Sequence, residues 1–290
     1  MRPRGPEALT WSAATATGYV LAFLLVYYVS VRTVRGRLVS DASLRGAISS
    51  GASVQDTVES ILDIISVGSL LGAVAVIALI ALLRLDRVRG LASIAVLVTA
   101  NVATQVLKQQ IITRPDLGVD EIAPATLNSL PSGHTTAAFS AVAALLIVLP
   151  ARLRAPAALI GGAFATVTAV ATMFAGWHRP ADAMAAFLVV GVCTMLAISA
   201  VILLEGPGPP APASPSVRLR WWIAPAVGAL SLGGALSVGL SVLAPIRDTV
   251  LGSLLAFASA GLLIIGAVLG VLVGMLRVLE ATDAARDPDG

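Results

Sequence analysis

Residues 155–204 read APAALIGGAFATVTAVATMFAGWHRPADAMAAFLVVGVCTMLAISAVILL and hold two charged side chains, Arg179 and Asp182. On either side of these, residues 155–178 and 183–204 contain no Asp, Glu, Lys or Arg. A hydrocarbon layer about 30 Å thick is crossed by about 20 apolar residues of helix. The stretch therefore reads as two membrane-spanning helices joined by a short polar corner, with His178, Arg179 and Asp182 at one membrane face. Pro180 suits the first turn of the second helix.

The rest of the chain repeats the pattern. Residues 8–31, 64–83, 90–107, 221–246 and 249–276 are likewise free of charge, and 122–151 is uncharged but interrupted by Pro131-Ser132-Gly133-His134. That interruption leaves one span beginning near His134, so the chain is expected to be an all-α polytopic membrane protein of about eight helices. The composition of the 290 residues agrees, with 57% apolar and 12% charged; soluble chains carry about 25% charged residues. The first hydrophobic run is too long for a signal-peptide core, and Arg32, Arg35 and Arg37 follow where a small-residue cleavage site is needed. It reads as a retained helix. Cys193, the one cysteine, permits no intramolecular disulfide.

Eighteen of the nineteen basic residues are Arg, a skew that points to a GC-rich bacterial genome. A net charge of +3, spread among loops, gives no basis for nucleic-acid binding. Arg84, Arg87 and Arg89, Arg152 and Arg154, and Arg218 and Arg220 fall in alternate connections. By the positive-inside rule these connections and both termini are expected in the cytoplasm of a bacterial plasma membrane. The connection with Asp116, Asp120 and Glu121 then faces outward. The one after the first helix fits less well, because Arg32, Arg35, Arg37 and Arg45 are only partly offset by Asp41, Asp56 and Glu59. Within it, residues 40–57 read as a short surface helix. The expected organisation is an N-terminal helix and outer loop (1–57), a six-helix block whose core is 58–205, a Pro-rich linker (206–220), a helix pair (221–277) and a tail (278–290). That pair is rich in Gly and Ala, which lets membrane helices approach closely. It is read as tightly packed or as a homo-oligomer contact.

Polar side chains at membrane depth are costly and tend to mark function. His134, His178 and Lys108 all fall at helix ends that the topology places on the outer side. A lone His or Lys at a helix end is ordinarily interfacial, and Asp182 alone reads as a helix cap. Together they suggest more. From His134 to His178 there is room for one helix down and one back, which brings both imidazoles to one face. Lys108 and Arg114 can neutralise phosphate oxygens. Ser132 and Gly133 open a helix, where backbone N–H groups favour an anion. Asp182 can orient His178, so that one His attacks phosphorus while the other protonates the leaving alkoxide.

These residues resemble the type 2 phosphatidic acid phosphatase family of integral membrane lipid phosphatases, in a bacterial, actinobacterial-type form. The family's motifs are Lys, six residues, Arg-Pro; Pro-Ser-Gly-His; and Ser-Arg, five residues, His, three residues, Asp. Here they appear as Lys108 to Arg114-Pro115, Pro131-Ser132-Gly133-His134, and His178 to Asp182, over roughly residues 58–204. The resemblance implies a nucleophilic His178 oriented by Asp182, His134 as the leaving-group acid, and phosphate held by Lys108, Arg114, Ser132 and Gly133. It implies a phosphohistidine intermediate with no metal and no cofactor. The implied substrates are phosphatidate, phosphatidylglycerophosphate, and polyprenyl phosphates or pyrophosphates, with cell-envelope polyprenyl lipids favoured. The first motif is one residue shorter than the family's, and Ala171-Thr172 stand in place of Ser-Arg. Arg179 is expected to supply the lost charge. A non-catalytic lipid-phosphate binder or envelope-assembly protein is the alternative, with a transporter behind it.

Overall fold

The computed structural model describes residues 5–51, 86–119, 128–205 and 220–284, with isolated positions between 58 and 80. Every regular element among them is helical. In chain order they are α1 (Gly5–Arg32), α2 (Val34–Gly51), α3 (Arg87–Val106) running on as a π-turn (Leu107–Ile111), α4 (Gly133–Val148), α5 (Ala151–Phe174), α6 (Pro180–Glu205), α7 (Arg220–Val242), the four-residue α8 (Ala244–Arg247) and α9 (Val250–Ala284). Six of these, α1, α3, α5, α6, α7 and α9, are long and apolar enough to cross a membrane, and α4 is a shorter apolar helix. Most of the span expected at 64–83, and all of the Pro-rich segment 206–216, Asp120 and Glu121, lie outside the described residues. Large apolar side chains stand on the outer faces of these helices, among them Ile160, Leu204 and Val250, each more than 70% exposed. In water such a surface would drive aggregation; facing hydrocarbon, it is what a membrane span requires. The chain is an all-α polytopic membrane protein.

Two elements differ from the sequence expectation. The helix after α1 begins at Val34, not residue 40, and is not a surface helix: Arg37, Asp41, Leu44 and Ala47 are buried. It packs mainly against α9, while Asp41 pairs with Arg179 and Arg37 donates to the Val31 and Pro115 carbonyls, so charges that the sequence alone assigned to an outer loop are buried. The last helix runs past residue 276 to Ala284, because Asp283 finds buried cationic partners there.

One hydrophobic cluster unites the helices. Phe139 of α4 meets Phe187 of α6 edge to face, with ring centroids 4.9 Å apart. The same cluster takes Val96 from α3, Ala165 from α5, and Ile264, Val268, Leu272 and Met275 from α9. Between membrane helices, close packing and interhelical hydrogen bonds replace the hydrophobic drive available in water. Thus Ser12 donates to the Met195 carbonyl at 2.9 Å, Tyr19 to that of Val271 at 2.8 Å, and Ser259 to that of Gly233 at 2.7 Å. The last contact needs Gly233, since a Cβ there would approach the Ser259 carbonyl to 3.0 Å.

At one end of the bundle, charges are gathered and covered. Arg89 reaches Asp283 at 2.8 Å and Glu205 at 3.7 Å, and Arg154 reaches the other Asp283 oxygen at 2.6 Å. These pairs tie the ends of α3, α5 and α6 to the last turn of α9. The histidines lie at the opposite end.

Candidate active site

The position of His178 follows from how α5 stops. Ala175 caps the helix, and Gly176 takes a φ of 73°, a left-handed conformation that suits glycine. The Trp177 N–H donates to the Thr172 carbonyl and the Gly176 N–H to that of Met173. This is the paired bonding of a Schellman cap, and it turns the chain back toward the bundle. The His178 N–H shares the Thr172 carbonyl at 3.2 Å.

Two residues on, α6 begins with Pro180. Asp182, in its first turn, reaches back to accept the backbone N–H of Arg179 at 2.9 Å, half of a capping box. The same oxygen, Oδ2, accepts the Ser129 hydroxyl at 2.6 Å and faces His178 Nδ1 at 3.2 Å. Asp182 and His178 are both buried. A carboxylate held by a helix cap and a serine has little freedom left, so the ring it faces is held too.

His134 arrives from the start of α4. Ser132 is the N-cap, its hydroxyl accepting the Thr135 N–H at 3.3 Å, and its own N–H donates to the Asp182 carbonyl at 2.9 Å. That bond pins the start of α4 to the start of α6. The first-turn amides of an α-helix point out of its end, and Gly133 and His134, which open α4, are part-exposed. The His134 ring lies edge-on to His178, with centroids 6.3 Å apart, and against Trp177 at 5.2 Å.

Lys108 sits in the π-turn that ends α3; such wide turns recur at functional sites. Asn128 donates to the carbonyls of Lys108 and Ile112, at 2.8 and 2.6 Å. Its neighbour Ser129 holds Asp182, so consecutive residues fasten the Lys108 turn and the His178 partner. Arg114 follows on the same face, part-buried. Tyr27 donates to the Thr113 carbonyl at 3.2 Å, and Arg37 of α2 to that of Pro115.

Of the eight residues singled out in the sequence, the structure brings His134, His178, Asp182 and Ser132 into one connected cluster, with Gly133 beside it and Lys108 and Arg114 at the same end. Arg179 is placed differently. Its side chain is 2% exposed, and its guanidinium meets Asp41 of α2 at 2.8 Å; its backbone N–H donates to Asp182 Oδ2, the oxygen that faces His178. Thr172, at the position of the motif arginine, is buried, with its hydroxyl on the Ala169 carbonyl. Ser129, Asn128, Trp177, Arg37 and Asp41 were not picked out in the sequence as site residues. For Arg37 and Asp41 a signal existed, since opposite charges four apart in a helix share one face. Ser129 and Asn128 gave none. Among the described residues, no three His, Cys, Asp or Glu side chains gather closely enough to hold a metal ion.

Residues 89–205 match the family model of the PAP2 superfamily. Comparison with curated proteins and with solved structures gives no match. The matched segment starts at Arg89 and ends at Glu205, the two residues that pair beside Asp283.

Proposed function

We propose that this chain, whose residues 89–205 belong to the PAP2 superfamily, is a membrane lipid phosphatase working through a phosphohistidine at His178. The observation that carries the reading is the line from Ser129 through Asp182 to His178, with the second imidazole at 6.3 Å. With the ring proton on Nδ1 donated to Asp182, Nε2 keeps a lone pair. Its attack forms a nitrogen–phosphorus bond and breaks the bond from phosphorus to the lipid oxygen, which takes a proton from His134. Water then loses a proton to His134 and cleaves the nitrogen–phosphorus bond, which releases phosphate and resets both rings. Lys108, Arg114, the Ser132 hydroxyl and the Gly133 N–H at the helix start are assigned to the phosphate oxygens.

The substrate class is a phosphomonoester or diphosphate of a membrane lipid, with polyprenyl phosphates favoured over phospholipid phosphates. The site is read as facing outward, with both termini cytoplasmic. The test is phosphate release by purified protein, with EDTA present, from phosphatidate, phosphatidylglycerophosphate, and a polyprenyl monophosphate and diphosphate. Release that resists EDTA and disappears in His178→Ala supports the reading. Thr172 in place of the motif arginine favours one competitor, a lipid-phosphate binder without turnover. Binding of these lipids with no release by the folded wild type would establish that competitor instead.

A further inference from the structure

Small residues leave a gap where α1, α6, α7 and α9 meet. The gap is a cavity of about 890 Å3, open along one side, with walls that include Trp11, Gly18, Leu188, Gly270 and Arg277. At Gly18 and Gly270 it is not a packing seam, although Gly266, also in its wall, packs against Leu230 of α7. A Cβ built on Gly18 or Gly270 meets no atom within 4 Å, whereas one on Gly274, where α1 and α9 do touch, would run into Tyr19. Along α9 the lining extends from Leu263 to Ala281. At 1.5 Å per residue this is about 27 Å, close to the hydrocarbon thickness of a bilayer.

The groove carries charge at one end only. Arg277 is the one charged residue among its described lining residues, and it stands exposed beside Trp11, which is 58% exposed. Both lie at the bundle end that holds Asp283, away from the histidines. Trp and Arg are residues of the membrane interface. From there the walls are almost wholly apolar as far as Val26 and Met184. A long apolar slot with one cation at its interfacial mouth is complementary to a hydrocarbon chain that carries an anionic head.

We propose that this groove is a binding site for an anionic phospholipid of the leaflet at the Asp283 end. Its phosphate rests on Arg277 and one acyl chain lies along Gly18 and Gly270. The site is separate from the histidine cluster and does not rest on the phosphatase reading. The lipid fills a gap between the family-matched α6 and the flanking α1, α7 and α9, and so couples their packing.

The test is thermal unfolding of delipidated protein in detergent, titrated with phosphatidylglycerol or phosphatidylcholine of identical acyl chains. One cation near an anionic headgroup should give phosphatidylglycerol about fivefold tighter binding. Arg277→Gln should equalise the two lipids. Gly270→Leu and Gly18→Leu, which occupy the groove without a clash at Cβ, should each abolish stabilisation by both. Gly234→Leu on α7, where a Cβ also meets open space outside the groove, should leave stabilisation intact. Equal affinities in the wild type, or an anionic preference that survives Arg277→Gln, would overturn the headgroup assignment. Stabilisation that persists in the filled variants would overturn the groove. A dimer dissolved by Gly270→Leu would assign the face to a second copy of the chain.

Discussion

Arg179 and Asp41, 138 residues apart in the chain, form an ion pair in which neither side chain is more than 2% exposed. One helical turn before Asp41, Arg37 donates to the Pro115 carbonyl. One face of α2 therefore holds both the loop after Lys108 and the residue that follows His178.

This pairing separates two roles for Arg179. Asp41→Asn leaves a buried guanidinium without its carboxylate, a change that costs about 3–5 kcal/mol. The apolar double variant Asp41→Leu/Arg179→Met should recover most of that loss, because replacing both members of a buried pair is often neutral. Thermal unfolding in detergent measures both. The double variant is expected to keep turnover as well. A folded double variant without turnover would put Arg179 among the phosphate contacts.

His134 is expected to show its role through the leaving group. His134→Ala should slow release from an alkyl phosphate by about 10²–10⁴-fold, the usual size of general acid–base assistance. An aryl phosphate, whose phenolate departs without a proton, should lose far less in its first step. Burst kinetics with the aryl ester report that step; an equal loss on both esters would remove His134 from the acid role.

Ser129 should matter although no motif includes it. Its 2.6 Å bond to Asp182 Oδ2 ends on a carboxylate, and such bonds contribute about 1.5–3 kcal/mol. Ser129→Ala is expected to lower kcat by about tenfold to a hundredfold with KM little changed, since the bond orients His178 rather than the lipid. Asp182→Asn should lose more. Steady-state kinetics on the pair of variants decides it.

At the far end, Asp283 serves two cations at once. Asp283→Ala should leave Arg89 and Arg154 with a charge deficit under cover and destabilise the fold by about 3–5 kcal/mol. Truncation after residue 278 should do the same, because it removes the same carboxylate. A melting temperature unchanged in both would mean that α9 ends functionally before its last turn.

How much of this was legible in the chain depends on whether the cause is local. Uncharged runs of some twenty residues set the membrane helices, because the cost of polar groups in hydrocarbon acts on each segment by itself. Pro131-Ser132-Gly133-His134 and His178 to Asp182 were legible for the same reason: a cap and a residue one turn away are fixed by helix geometry within a few positions. Gly176 was not read from the sequence, although its positive φ is also a local demand. The tertiary structure alone decided the rest. Nothing near Asp41 in sequence names Arg179 as its partner, and nothing near Asp283 names Arg89 and Arg154; α2 and the end of α9 find those charges only after the bundle closes. A buried ion must be paired wherever its partner lies in the chain, so the sequence shows that these charges need partners, and only packing selects which.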